Sequence, residues 1–411
     1  MIPVEKAAKI ILNDISIFKT EEIPIINAHL RILSSDVIAK RNVPYFNNSA
    51  MDGYAVKYLD TRAARKDKPA ILKVISFVVV AGEPYSGKLE KGSAIKIMTG
   101  AVIPDGADSV VPIEDVKESN GRIYFTNPVK KSQNVRFAGE DMKKGETILR
   151  KGKRLNPADI GVLASLKIPT VNVYKKPTVA ILCNGSELID IDDDYKDGKI
   201  VASNLYSLIA QVSSAGGIPI SLGITKDDKH EIKKKIKSGL KYDFLITSGG
   251  ISVGDYDFVN SALLELGAER KIHKVAMRPG KPFSYYTLGD SKIFALPGNP
   301  VSSMVSFLIF VRPSILKMSG SPEKYYRVIK AVLQEDVEKI KGYKHFIRGI
   351  IKKAKGSYYV KPTGPQGSGI LRSMSLANGL IATSASGEKI KKGALVNVIV
   401  MDDSFDNTEL I

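Results

Sequence analysis

From Pro177 onward, short apolar runs alternate with helical stretches, and glycine-rich segments follow the runs at 178–183 and 244–247. This alternation constrains the fold more than any other feature, because strands joined by helical crossovers lie parallel and the crossovers are right-handed. The reading places strands at 178–183, 218–222 and 244–247. Ser203 caps a helix carrying Leu205, Leu208, Ile209 and Val212; Asp227 or Asp228 caps a lysine-rich helix to Leu240. Further helices cover 257–266 and, as a longer apolar one, 300–318. The fold class is therefore α/β multidomain, with a mostly parallel sheet in this part of the chain.

Ligands in such sheets sit at the carboxyl ends of the strands. Asn184-Gly185-Ser186-Glu187, the run from Ser248-Gly249-Gly250 through Ser252 to Asp255 and Asp257, Arg278-Pro279-Gly280-Lys281 and Pro297-Gly298-Asn299-Pro300 all fall in loops. Glycine lets backbone amides approach a ligand and a helix start adds partial positive charge, so the pattern reads as phosphate binding. One glycine-rich loop marks only a turn, whereas three at successive strand ends mark a site. The substrate-contacting candidates are Gly185, Ser248, Gly249, Gly250, Ser252, Pro297, Gly298, Asn299 and Pro300.

Carboxylates beside a phosphate would repel it unless a cation intervenes. Glu187, Asp227, Asp255 and Asp257 fit together if Mg²⁺ bridges them to phosphate oxygens, with Glu187 and Asp257 as the expected metal ligands. Helix capping accounts equally for Asp227 and Asp257, which both stand at expected helix starts.

The chain opens with an amphipathic helix through Val4, Ala7, Ala8, Ile11, Leu12 and Ile15, and a second short helix is expected over 28–38. Between 44 and 141 the texture becomes short β-like runs, at 70–80, 93–98, 109–112 and 122–125, punctuated by Gly and Pro. Helical periodicity returns at 157–166, with Asn156 as N-cap and Pro157 at the first helical position. Two helical pieces flanking a β module read as one domain, 1–43 with 142–176, into which the module 44–141 is inserted. The α/β domain then covers 177–322. The remainder, 323–411, returns to β texture at 326–333, 345–352, 358–361 and 394–400, as a small barrel or sandwich.

Composition narrows the function. There are 61 Lys and Arg against 43 Asp and Glu, a net charge of +18, which favours an anionic partner. A lysine-rich surface of the kind found in heat-adapted proteins gives the same sum. With no Trp and with basic residues scattered along the chain, a small anionic ligand is preferred to nucleic acid. One Cys and four His exclude an internal disulfide and a Cys/His zinc cluster, and Cys183 reads as core. The apolar stretch at 301–311 is too short for a bilayer, and the N-terminal segment lacks signal-peptide features, so the expected compartment is the cytosol. The N-terminal helix and the helix at 157–166 offer apolar faces that a slender split domain does not bury alone, which predicts a homodimer.

Five segments, in order, carry a resemblance. They are Asn48-Ser-Ala-Met-Asp-Gly-Tyr-Ala55, Met98-Thr-Gly-Ala101, Val135-Arg136 with Gly139-Glu-Asp141, Thr247-Ser-Gly-Gly250 with Ser252-Val-Gly254, and Leu296-Pro-Gly-Asn-Pro-Val301. Over essentially the whole chain they resemble the MoeA family of molybdopterin molybdenumtransferases, related to the gephyrin E domain. The resemblance implies a helical elongated dimerisation domain, an inserted β module, a molybdopterin-binding α/β domain and a C-terminal β-barrel. It implies insertion of molybdenum, or tungsten, from the oxyanion into adenylylated molybdopterin, with Mg²⁺-dependent release of AMP. Asp52, Thr99, Arg136, Asp141, Glu187, Asp227 and Asp257 match functional positions of the family, Thr99 and Arg136 as substrate-binding residues and the five acids, Glu187 and Asp257 included, as catalytic ones. Arg278, Lys281, Arg348 and Ser373 match positions that hold the oxyanion. Many relatives read Lys-Pro-Gly-Lys where this chain has Arg278, which exchanges a point donor for a planar fork. The segment around Ser373-Met374-Ser375 is looser than the family pattern. The family places its cleft between the α/β domain of one subunit and the β module of the other. A separate molybdopterin adenylyltransferase and apo-molybdoenzymes are the implied partners, with no nucleic acid and no membrane. Competing readings are a molybdopterin adenylyltransferase, which would need ATP, and a non-catalytic molybdopterin-binding scaffold.

Overall fold

The structure is a computed structural model that describes residues 1–16, 19–250, 258–402 and 404–406. Two compact units make up the chain: Glu22–Val173, and Met1–Glu21 together with Tyr174–Ile411.

In the larger unit a six-stranded sheet has the order Ile218–Thr225, Thr178–Asn184, Phe244–Ser248, Ser291–Leu296, Ser284–Leu288, Glu269–His273. The first four strands are parallel, and Ser284–Leu288 pairs antiparallel with both of its neighbours, so that Glu269–His273 runs with the first four. Period-2 alternation sends successive side chains to opposite faces. Val179, Ile181 and Cys183 join Leu205, Leu208 and Val212 of the helix Ser203–Ser214 in one core. Ala180 and Leu182 join Ile232 and Ile236 of Lys229–Gly239 and Val259 and Leu263 of Phe258–Glu265 in another. The expected strands and helices at 178–183, 218–222, 244–247 and 203–214 are all present. The hairpin Ser284–Leu288 with Ser291–Leu296 was not foreseen. One capping reading changes and another is decided. Ser203 is the first helical residue, with no side-chain cap at Ala202. Asp228, not Asp227, caps the lysine-rich helix, its carboxylate accepting from the Glu231 N–H at 2.8 Å.

The long apolar helix runs Pro300–Ser306, then a π-helical turn Phe307–Val311, then Arg312–Met318. Pro313 has no N–H to donate one turn back, and the Arg312 N–H reaches Phe307 O in the wider pattern just before it. By length and composition this 19-residue run is apolar enough to cross a bilayer, so the length argument made from the sequence fails. Its burial decides instead: 72% of its most apolar window is inside the protein, as for a core helix.

The N-terminal helix Val4–Asp14 forms as expected, but its apolar face is occupied within its own unit. Val4, Ala7, Ile11 and Ile15 pack in the core that holds Ile315 and Met318, and Glu5 pairs with Lys344 at 2.6 Å. The helix therefore packs with the larger unit, and the face on which half of the dimer argument rested is covered there. The unit ends in a closed five-stranded barrel, not a sandwich: Lys344–Ala354, Ser357–Pro362, Val328–Leu333, Leu395–Val400 and Gly379–Ala382, which returns to the first strand.

In the smaller unit a six-stranded sheet has the order Ser109–Pro112, Gly53–Val56, Ser93–Ile97, Ala70–Val79, Arg122–Phe125, Lys117–Ser119. Its alternation again feeds two cores, Tyr54 and Val56 on one face and Ala55 on the other. The helix Pro157–Ser165 has the expected cap, with Asn156 and Asp159 in a reciprocal capping box. The helix expected over 28–38 is absent. Leu30 has φ +63°, and residues 30–33 bond to 153–155 instead of to themselves: the Leu30 N–H donates to Leu155 O and the Leu33 N–H to Lys153 O. This part of the unit is therefore less helical than expected.

Candidate active site

The glycine-rich loops meet at the carboxyl ends of the central strands, around a cavity of about 510 Å³. Asn184, Glu187, Asn204, Ser248, Gly249, Gly250, Lys281 and the run 297–300 are among its walls. Gly249 and Gly250 cannot be replaced without strain. Their φ values are +96° and +65°, and a Cβ on either would lie 2.2 Å or less from Asn184 atoms. The Asn184 amide, oriented from its hydrogen-bond partners, donates to Gly249 O at 2.8 Å and accepts from the Gly250 N–H at 3.2 Å. Asn204 is buried and its amide nitrogen donates to Ser248 Oγ at 2.9 Å and to Gly298 O at 2.7 Å. These bonds tie three strand-end loops into one frame. Asn299 precedes Pro300 at the start of the long helix with no side-chain capping bond.

The acids divide. Glu187 is exposed on the cavity wall. Asp227 is freed from the capping role by Asp228 and bridges to the neighbouring loop: its carboxylate accepts from the Ser186 N–H at 2.9 Å, and its own N–H donates to Ser186 Oγ at 3.1 Å. Gly185, beside it, is buried and does not itself line the cavity. Asp257, Asp255 and Ser252 lie outside the described residues. Among the described residues no group of three His, Cys, Asp or Glu could hold a metal ion.

A second cavity of about 620 Å³ adjoins the barrel, and Lys281, Pro282 and Asn299 line both cavities. Its walls carry Arg278, Lys281, Lys339, His345 and Arg348 against one acid, Glu338. Arg348 is 1% exposed. Its guanidinium donates to Ser373 Oγ and to Gly367 O, both at 3.0 Å, and has no carboxylate within ion-pair distance among the described residues. Burial pushes its pKa down to about 10, so at neutral pH it remains a cation, hydrogen-bonded but without a counter-charge among the described residues. The four oxyanion candidates thus come together, Arg278, Lys281 and Arg348 on the wall and Ser373 behind Arg348.

In the smaller unit Asp52 and Thr99 meet directly. The Asp52 carboxylate accepts from the Thr99 N–H at 2.7 Å and from its hydroxyl at 2.8 Å, and these bonds hold it below the ordinary carboxylate range. Arg136, exposed, pairs opposite Asn48 in a short two-stranded ladder, while the Ser49 N–H donates to Ala101 O, so all three loops converge on Asn48–Ser49. Asp141 is exposed on the following turn, its N–H bonded to Val43 O.

Asn184, Asn204, Lys339 and His345 were not singled out from the sequence. Asn204 carried a signal. It stands four and eight residues before Leu208 and Val212, a polar residue on an apolar helical stripe.

Comparison with known proteins agrees along the chain. Residues 2–166 match the MoeA N-terminal region (domain I and II), 180–317 a probable molybdopterin binding domain, and 330–401 the MoeA C-terminal region (domain IV). The molybdopterin molybdenumtransferase of Staphylococcus aureus (strain COL) is 33% identical over 414 residues, covering 100% of this chain and 98% of that one. That of Bacillus subtilis (strain 168) is 34% identical over 405 residues, covering 97% and 94%. A crystal structure of the molybdopterin biosynthesis MoeA protein from Pyrococcus horikoshii OT3 superposes with a TM-score of 0.81 at 33% identity, covering 97% of this chain and 100% of that one. With relatives at this identity over its full length, the chain belongs to the MoeA family of molybdopterin molybdenumtransferases.

Proposed function

We propose that this enzyme of molybdenum cofactor biosynthesis takes adenylylated molybdopterin and molybdate or tungstate, places the metal on the dithiolene, and releases AMP. In balance, the dithiolene sulfurs displace oxygen from the oxyanion as water, and water cleaves the phosphoanhydride to give AMP. The observation that carries this reading is the shared wall of the two cavities: a glycine-framed cavity suited to pterin and phosphates abuts a cationic one suited to an oxyanion, with Lys281 and Asn299 common to both. A protein cysteine is not needed as a metal carrier. Cys183 is buried, and burial pushes its thiol up to about 12, which keeps it protonated.

Mg²⁺ fits the residues present to the extent that one exposed carboxylate, Glu187, faces the phosphate cavity, and a Mg²⁺ held mainly by phosphates and water needs one or two such ligands. Asp257 would be the second. When bound, the ion would offset charge on the phosphates. The chain's own contribution is the loop frame: Asn184 fixes the Gly249–Gly250 turn, Asn204 ties Ser248 to Gly298, and Asp227 holds Ser186 beside Glu187. Asp52, Thr99, Arg136 and Asp141 are proposed to serve the same substrate, in a cytosolic homodimer, with a separate adenylyltransferase supplying it and apo-molybdoenzymes taking the product. Exposed Ile26, Leu30 and Ile38 are apolar surface that supports a second copy.

The test supplies purified full-length protein with adenylylated molybdopterin, Mg²⁺ and molybdate or tungstate, and follows AMP and the metallated pterin by mass spectrometry. Oxyanion-dependent AMP release is expected, falling by orders of magnitude in Glu187→Ala and Asp257→Ala while pterin binding largely survives. AMP formed only from ATP and free pterin would point to an adenylyltransferase. Undiminished release by Asp257→Ala would remove that residue from the site.

A further inference from the structure

Arg278 and Lys281 stand three residues apart on the wall of the cationic cavity, and neither has a carboxylate partner among the described residues. Two like charges at such spacing repel, and Arg348 and Lys339 add to the same field. The fold answers with an aromatic ring. Tyr343 lies under both cations: the Arg278 guanidinium carbon is 5.1 Å from its ring centroid and the Lys281 ammonium 5.9 Å. Both distances fall within the range of cation–π attraction. Tyr343 is not among the residues lining the cavity, so it stands behind the two cations.

Its place is fixed by the backbone. Met277–Arg278 pairs in parallel with Lys344–His345, and the Lys344 N–H donates to Ala276 O at 3.0 Å. Tyr343 therefore immediately precedes the ladder that carries Arg278. The crowding of charge is visible on His345, which is held below its ordinary value chiefly by burial and further by the Arg278 and Lys339 charges.

We propose that Tyr343 is a positioning residue of the oxyanion site, whose ring face holds Arg278 and Lys281 against their mutual repulsion without neutralising either. A carboxylate in its place would hold them equally well but cancel charge and compete with the incoming anion. The quadrupole of a ring attracts cations while contributing no net charge, so the full positive charge is left for the ligand. This rests on the reading of the cavity as the oxyanion site.

Calorimetric titration of the full chain with sodium molybdate and with sodium tungstate tests it. Tyr343→Phe is expected to bind within about twofold of the wild type, because the ring face is kept. Tyr343→Leu is expected to weaken both oxyanions about five- to thirtyfold. Pentafluorophenylalanine incorporated at 343 keeps the ring's shape but reverses its quadrupole, and should weaken binding at least as much as Leu. That variant also covers the case in which Leu impairs folding. In turnover, the oxyanion KM should rise while kcat at saturation holds. Equal affinities for the Phe and pentafluorophenylalanine proteins would overturn the proposal, since packing alone would then explain the ring. Lys281→Ala separates the two claims. If it weakens oxyanion binding while the position-343 variants do not, Tyr343 fails alone; if it too leaves binding unchanged, the cavity is not the oxyanion site and both readings fall.

Discussion

The cavity at the strand ends and the cavity beside the barrel share Lys281, Pro282 and Asn299 but meet their ligands by different means. In the first, the polar work is done by main chain and amides. Gly249 and Gly250 let the backbone approach, Asn184 fixes that backbone, and Asn204 ties the Ser248 hydroxyl to Gly298 O. In the second, long cationic side chains converge and Arg348 is buried without a counter-charge. A rigid neutral frame suits a large ligand recognised by shape, since nothing needs to reorganise on binding. A surplus of positive charge suits a small hydrated anion, which offers little surface and must be won from water by charge-assisted bonds. The difference also has a stability side: the first cavity is held together by neutral hydrogen bonds between loops, whereas the second keeps a buried cation with no carboxylate beside it among the described residues.

The sharpest way to break this comparison is Arg348→Met. Oxyanion affinity should fall on the order of a hundredfold, the loss of charge-assisted bonds from a buried donor. The melting temperature should hold or rise, because an uncompensated buried cation is replaced by an apolar chain of similar length. Calorimetry and thermal unfolding check both halves, and a destabilised variant with normal oxyanion affinity would make Arg348 purely structural. For the same reason molybdate or tungstate should raise the wild-type melting temperature. The folded pKa of Arg348 lies below its unfolded value, so its penalty is fully present below about pH 10 and a bound anion relieves it at neutral pH.

Lys281→Ala should raise the oxyanion concentration for half-maximal turnover at least about tenfold, with little change in pterin binding. Because Lys281 lines both cavities, loss of pterin binding with normal oxyanion dependence would reassign it to the strand-end side. Asp227→Ala acts on the other side of the comparison. Removing its bond to the Ser186 N–H should lower pterin affinity about fivefold and leave oxyanion affinity intact, measured by titration with each ligand separately.

The smallest expected effect lies in the other unit. The folded Asp52 carboxyl sits below its unfolded value, so its contribution is complete above roughly pH 4 and is lost as pH falls through the lowered folded value. The melting-temperature gap between wild type and Asp52→Asn should therefore be small at neutral pH and close on acidification. A gap that widens in acid would contradict the bond to Thr99.

Much of the α/β half was legible because its signals are local. Apolar runs bounded by glycine mark the strands, and Asn156-Pro157 marks a helix start that the structure reproduces to the residue. Of the oxyanion residues, Arg278 and Lys281 stood out in a strand-end loop, whereas Arg348 and Ser373 were reachable only through resemblance. Arg278 and Arg348 lie seventy residues apart, and nothing in the chain announces that a strand of the barrel will bring them to one cavity. The helix expected over 28–38 failed because its apolar spacing was real but its backbone partners lie more than a hundred residues away, at 153–155. Strand Gly379–Ala382 was missed because Asn378-Gly379 reads as a turn and the run continues into Thr383 and Ser384 without alternation, yet it closes the barrel. Asp227 shows the converse limit: capping and bridging predict the same residue type at the same place, and only the position of Asp228 separates them.

The first helix also has a consequence in time. Val4–Asp14 leaves the ribosome well before the segment that covers it, Arg312–Met318, which follows some three hundred residues later and whose Lys317 ammonium donates to Leu12 O. At roughly 5–20 residues per second, that helix waits on the order of 15–60 s for its partner. All of Glu22–Val173 is synthesised in the interval. The order of assembly is therefore the reverse of the order of synthesis at the N-terminus: the inserted unit can close first, while an amphipathic helix stays uncovered until the core helix arrives. Its lysines at 6 and 9, which play no part in either cavity, give that waiting helix a charged face during the delay.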